Sequence, residues 1–191
     1  MYILCVVVEV TGVTYLNNVM YVICTGSSKI YRYNMEMYST LQVAEVDGMQ
    51  NPSDIVACHD DHQLYIAECT PPDIAMPAAA GSGGSACIWR VSADGRSSEK
   101  LLWLQRTECS GAETVQIDHV ETLSLVSRRL LVPSHNSLHQ FNTTDGRRLR
   151  EVKLSKTWEL CHGVELTPET FVVSYRTTVG GQWDYAVSHL T

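Results

Sequence analysis

Long apolar runs, basic clusters and helical periodicity are all missing from this 191-residue chain. No stretch reaches the ~18 to 20 apolar residues that a bilayer-spanning helix needs, so no membrane partner is expected. The apolar opening Met1 to Val8 is broken by Glu9 and has neither a basic leader nor a small-residue cleavage site. Its β-branched content suits a buried strand better than a signal peptide. Lys and Arg number 14 against 21 Asp and Glu, a formal charge of −7. The one dense basic group, Arg147, Arg148, Arg150 and Lys153, reads as part of a hairpin. Nucleic acid is therefore disfavoured as a partner, because tracking phosphates needs clustered cations. No segment sustains a 3.6-residue apolar period, which leaves an all-β reading.

Catalytic signatures are also scarce. There is no Gly-x-Ser-x-Gly elbow, and Gly81-Ser82-Gly83-Gly84 lacks the Lys and the strand-to-helix context of a phosphate loop. Zinc-finger Cys/His spacing and coiled-coil heptads are missing as well. The seven cysteines are an odd number without a tight framework spacing, and several sit in apolar runs. Cysteine used as a small hydrophobe points to a reducing, cytoplasmic setting.

What the chain does contain is a pattern repeated four times: apolar, variable, hydrogen-bonding, apolar, small polar. The copies are Ile30-Tyr31-Arg32-Tyr33-Asn34, Ile88-Trp89-Arg90-Val91-Ser92, Leu138-His139-Gln140-Phe141-Asn142 and Val187-Ser188-His189-Leu190-Thr191. Asp94-Gly95 and Asp145-Gly146 follow the second and third copies, a strong turn signal. Repetition at this spacing predicts a β-propeller of four blade-length repeats, each a four-stranded antiparallel sheet. The chain is read as one domain, 1–191, with repeats over about 11–51, 52–108, 109–159 and 160–191 plus 1–10.

Aligning the innermost strands on Val13, Val56, Leu123 and Val164 leaves the second repeat long. The excess falls in Thr70 to Ala86, with Pro71-Pro72 and an Ala/Gly/Ser run, and in Arg106 to Asp118. Such composition has no apolar set to bury and predicts surface loops. The fourth repeat lacks an outer strand. Either residues 2–8 pair beside 184–190 and close the ring, or the four repeats are a fragment of a larger propeller.

With the strands laid out, the repeats resemble the NHL family, within the six-bladed-propeller-like group. Pro52-Ser53-Asp54-Ile55-Val56, Leu64-Tyr65-Ile66-Ala67-Glu68 and Ile88-Trp89-Arg90-Val91 match its opening, second-strand and third-strand segments. His135-Asn136-Ser137-Leu138-His139-Gln140-Phe141 is similar to its loop-and-strand portion. Glu68, Cys24, Ser134 and Tyr175 stand where that family usually has Asp. The resemblance implies a platform that binds proteins and sometimes RNA. Related propellers include calcium- or zinc-dependent lactonases and esterases.

Two kinds of site follow. Loops on a rigid scaffold, with Trp and Arg as anchors, make a rim for a protein or peptide partner. The rim residues singled out are His135, Asn136, Trp158, Glu159, Arg176 and Trp183. On this reading the protein is a non-enzymatic binding scaffold with no cofactor, favouring neutral or basic partners. The alternative is a calcium- or zinc-dependent hydrolase. Thr11, Asp54, Glu121 and His162, each two residues before an inner-strand anchor, would converge on the channel mouth and offer oxygen and imidazole ligands. Cys58-His59-Asp60-Asp61-His62 looks like a metal-ligand run but reads as a solvated turn between two strands.

Overall fold

The computed structural model describes residues 9–40, 43–70, 85–104, 122–134, 136–155, 157–179 and 182–190. Every regular element among them is a β-strand, and no helix is long and apolar enough to cross a membrane. Four antiparallel sheets succeed one another along the chain as the blades of a β-propeller. The first holds β1 (Val10–Leu16), β2 (Val19–Cys24) and β3 (Lys29–Asn34), with the short β4 (Ser39–Thr40) and β5 (Ala44–Glu45) both pairing with β3. The second holds β6 (Pro52–Cys58), β7 (Gln63–Thr70), β8 (Ser85–Ser92) and β9 (Ser98–Leu104). The third holds β10 (Ser124–Val126), β11 (Arg129–Ser134), β12 (Ser137–Asn142) and β13 (Arg148–Lys153). The fourth holds β14 (Trp158–Thr167), β15 (Thr170–Val179) and β16 (Gln182–Leu190).

The recurring five-residue pattern falls on β3, β8, β12 and β16, the third strand of each blade. Its first apolar residue is buried in three of them, at Ile30, Ile88 and Leu138. Alternation then sends successive side chains to opposite faces, one toward each neighbouring blade. The core accordingly lies between blades. Leu16, Tyr21, Ile23 and Ile30 of blade 1 meet Ile55, Leu64 and Ile66 of blade 2. Tyr65, Ala67 and Ile88 of blade 2 meet Leu130, Val132 and Phe141 of blade 3. Leu131 and Leu138 of blade 3 meet Leu160, Phe171 and Val173 of blade 4.

Blades 1 and 2 approach closely at Gly12, where an added Cβ would stand 3.0 Å from both Ile55 N and Ile55 Cγ2. The first hairpin turns on Asn17 and Asn18, both at positive φ (51° and 62°), as a twist-matched two-residue turn requires. Gly95 and Gly146 also have positive φ, but they sit in loops longer than two residues, between β8 and β9 and between β12 and β13.

The inner-strand alignment needs a correction of one residue in two blades. Val13 pairs with Val22, and the residues level with it are Ile55, paired with Ile66, and Gly163, paired with Val173. Val56 and Val164 lie one place further on, because β6 ends in a four-residue turn and β14 has register shifts after Leu160 and after Glu165. Residues 2–8, the proposed closing strand, lie outside the described residues, as do 71–84 and 106–118 of the two long loops. Among the described residues blade 1 touches only blade 2, and blade 4 touches only blade 3.

Candidate interaction rim

The rim formed where β11 ends and β14 begins gathers several of the residues singled out from the sequence. Asn136 sits in the β11–β12 turn and its carbonyl accepts from Leu154 N at 2.8 Å. Three residues of linker later, β14 opens with Trp158 and Glu159. The Trp158 indole lies flat on Tyr175, with centroids 3.9 Å apart and planes inclined by 12°. Tyr175 packs against the blade 3–blade 4 core, so the indole is fixed from below while remaining partly exposed. A register pair across the hairpin sets Glu159 opposite Arg176. The guanidinium holds the carboxylate through two bonds, Nε to Oε2 at 2.8 Å and Nη2 to Oε1 at 2.5 Å. Both side chains are about one-third exposed, which makes this a bidentate pair at the surface. Trp183 is placed in β16 opposite Thr178, and His135 lies outside the described residues.

A second centre, which sequence reasoning missed as a site, is built on Glu68. Its buried carboxylate accepts from Gln50 N (2.5 Å), Asn51 N (3.2 Å), Trp89 Nε1 (2.7 Å) and Cys87 Sγ (3.1 Å). Burial pushes this carboxyl up, but the donors, Trp89 foremost, outweigh it and hold Glu68 below its ordinary value. The cluster ties the connector after blade 1 to two strands of blade 2. The signal in the sequence was that Glu68 stands where the NHL pattern the repeats resemble usually has Asp.

Of the proposed metal ligands, Thr11 and Asp54 are turned to backbone. Thr11 Oγ1 donates to Pro52 O at 2.8 Å. Asp54 accepts from Ile55 N at 2.8 Å through Oδ1 and from Leu123 N at 2.6 Å through Oδ2. Burial raises the Asp54 carboxyl, against the lowering effect of those two amides and of nearby His162. Glu121 lies outside the described residues. No group of three or more His, Cys, Asp or Glu side chains able to hold a metal occurs among the described residues. Residues 59–62 form the turn between β6 and β7, with His62 Nδ1 facing Asn17 Nδ2 at 2.9 Å and Asp61 Oδ2 accepting from Tyr65 OH at 3.2 Å.

Thiol chemistry is not favoured either. Burial and the Glu68 hydrogen bond push the Cys87 thiol up to about 12, and burial also raises Cys58. Cys161 donates to Glu159 O at 3.7 Å, within its own strand.

The hydrogen-bonding position of the repeated pattern has one job in three blades: it straps its own blade to the next. Arg32 Nη1 donates to Asp94 O at 3.2 Å. Arg90 Nη1 donates to Thr143 O at 3.1 Å and Thr144 O at 3.2 Å. Gln140 Nε2 donates to Glu165 Oε2 at 2.9 Å. A parallel set of inner staples runs from Thr11 to Pro52, from Asp54 to Leu123 and from Thr122 Oγ1 to Cys161 O (2.7 Å).

No family model matches the chain, and no curated protein sequence does. Solved structures do. A chain of Kuenenia stuttgartiensis hydrazine synthase is similar over 94% of this chain and 50% of its own length, with 13% identity and a TM-score of 0.62. The N-terminal domain of Nup159 is similar over 95% of this chain and 44% of its own, with 11% identity and a TM-score of 0.58. A chain of the mitotic checkpoint complex is similar over 93% and 50%, with 11% identity and a TM-score of 0.54. These likenesses show the β-propeller fold. The chain spans about half the length of each of these structures.

Proposed function

We propose that this propeller is a non-enzymatic, NHL-like binding scaffold of the cytoplasm that holds a protein or peptide segment on its loop rim. The single observation behind this reading is the fixed, partly exposed Trp158 stacked on Tyr175 at the start of β14. A flat aromatic surface that is already ordered binds at low entropic cost, and the Glu159–Arg176 pair stiffens the same hairpin from its opposite face. The negative charge of the chain favours a neutral or basic segment. Protein partners are also the company kept by similar folds: one similar structure is of S. cerevisiae Dbp5 bound to Nup159. Buried, partnered thiols suit a reducing compartment.

The test is selection of displayed random peptides on the immobilised chain, followed by direct titration of the enriched family. Trp158→Ala should weaken binding by about tenfold or more, the loss expected of an aromatic anchor, and Arg176→Ala by less. Asn18→Ala, in the β1–β2 turn, should leave it unchanged. Enrichment that ignores Trp158, or no enrichment, would sink the reading.

A further inference from the structure

Two loops that lead from a third strand to an outer strand are built alike but carry different surfaces. In blade 3, Asn142 N donates to Arg147 O at 2.9 Å and closes a loop of Thr143-Thr144-Asp145-Gly146. Asn142 Oδ1 accepts from Thr144 N at 2.7 Å, and Gly146 takes the left-handed place at φ 71°. In blade 1, Asn34 pairs with Ser39 around Met35-Glu36-Met37-Tyr38. Asn34 Oδ1 accepts from Glu36 N and Met37 N, both at 2.9 Å. Here the left-handed place belongs to Tyr38, at φ 48°. An aromatic residue is strained in that conformation, whereas glycine is not.

Nothing within the chain repays the strain by packing, since Tyr38 is 90% exposed and Met37 66%. The loop is nonetheless braced. Met35 N donates to Asn18 O at 2.9 Å, and Asn18 Nδ2 donates to the Glu36 carboxylate. In blade 3 the matching tip stays exposed at Thr144 and Asp145 although Arg90 of blade 2 reaches the Thr143 and Thr144 carbonyls. A blade packed in front of blade 1 would leave Met37 and Tyr38 exposed in the same way. An ordered aromatic held strained and exposed points to a role outside the chain.

We infer that the 35–38 loop is a docking element whose Met37–Tyr38 tip enters an apolar pocket, edged by Lys or Arg, on a partner protein. The charge around the tip selects that edge. Glu36 stands on the tip itself, and exposed Asp60 lies on the turn whose His62 faces Asn17 at 2.9 Å. These carboxylates repel anionic lipid headgroups, and two projecting side chains bury too little area to hold the chain on a bilayer. A flat ring beside an adaptable thioether suits a protein pocket, where such side chains anchor interfaces. The tip stands where β3 ends, whereas Trp158 stands where β14 begins, so the two surfaces are separate.

The experiment places the photo-crosslinker benzoylphenylalanine at position 37, or at position 145 as a control, in cells that make the full chain. The cross-linked protein is identified by mass spectrometry, purified and titrated against the purified chain. One protein should be linked from position 37 and not from 145, through an apolar peptide flanked by Lys or Arg. Tyr38→Gly should weaken its binding at least about tenfold. The same variant should melt about 2 to 4 °C higher, because the strain is gone. Lost affinity with gained stability separates lost docking from lost folding. Glu36→Lys should weaken binding as well, since it opposes the basic edge. Tyr38→Gly that binds like wild type would overturn the inference, as would the lack of any cross-link specific to position 37. Cross-linking to a second copy of this chain, or Tyr38-dependent flotation with phosphatidylcholine vesicles, would overturn a separate protein as the occupant.

Discussion

At the scale of single residues, Glu68 shows how a buried charge becomes structural. Four donors from two separate segments converge on it, so removing the carboxylate orphans two backbone amides and an indole N–H at once. Unsatisfied buried donors cost about 1 to 3 kcal/mol each before relaxation. Glu68→Ala should therefore lower unfolding free energy by about 3 kcal/mol, read from urea midpoints. The pH dependence follows from its depressed carboxyl. An acid held below its ordinary 4.5 in the folded state stabilises above that pH and loses the contribution as the pH falls through the folded value. Glu68→Gln should flatten the wild-type loss of stability below about pH 4.5. Asp54, with a raised carboxyl, acts in the opposite sense: its contribution is full below its ordinary 3.8 and is lost as the pH rises through the raised value. Cys87 belongs to the same centre. With its thiol at about 12, it should resist iodoacetamide in the native protein at pH 8 and react once urea unfolds it, a difference peptide mass mapping resolves.

Among elements, the hairpins separate what patterning can reveal from what it cannot. The third strands were legible because the same five-residue alternation recurs on β3, β8, β12 and β16. Inner-strand registers were not, because one extra pair of residues in the 59–62 turn and the bulge after Leu160 leave no mark on hydrophobic alternation. The β10–β11 turn is a case where sequence and geometry disagree. Ser127 and Arg128 both adopt positive φ (47° and 63°), in a two-residue turn that favours Asn-Gly. Ser127→Asn with Arg128→Gly should raise stability by about 1 kcal/mol, seen as a higher melting temperature. The blade 3–blade 4 junction is held by Arg129, whose Nη2 lies 2.7 Å from the fully buried carboxylate of Glu165. Arg129→Ala leaves that charge without its ion-pair partner and should cost about 3 kcal/mol, whereas replacing both residues with apolar ones should recover much of the loss in a double-mutant cycle.

For the whole molecule, the propeller was readable from repetition, and residue type alone picked out Trp158, Glu159 and Arg176, which fall on one hairpin of blade 4. The Glu68 centre escaped because its members are scattered over positions 50 to 89 with no spacing that announces them. The straps escaped for another reason: a polar residue in a strand reads the same whether it meets water or a neighbouring blade. Asp54 illustrates the cost of that ambiguity, since both of its carboxylate oxygens are already taken by backbone amides. Calcium or zinc added after chelator treatment should accordingly leave the melting temperature within about 1 °C. A rise of several degrees would revive the metal reading, because a ligand bound only to the folded state must stabilise it.

Each strap and each staple runs from one blade to its C-terminal neighbour. A blade is thus a self-contained module that brings its own hook and offers its own eye. Duplicating or deleting such a unit leaves every surviving junction chemically unchanged. Blade number can then drift by whole units over evolutionary time, with selection acting only on whether the circle finally meets itself.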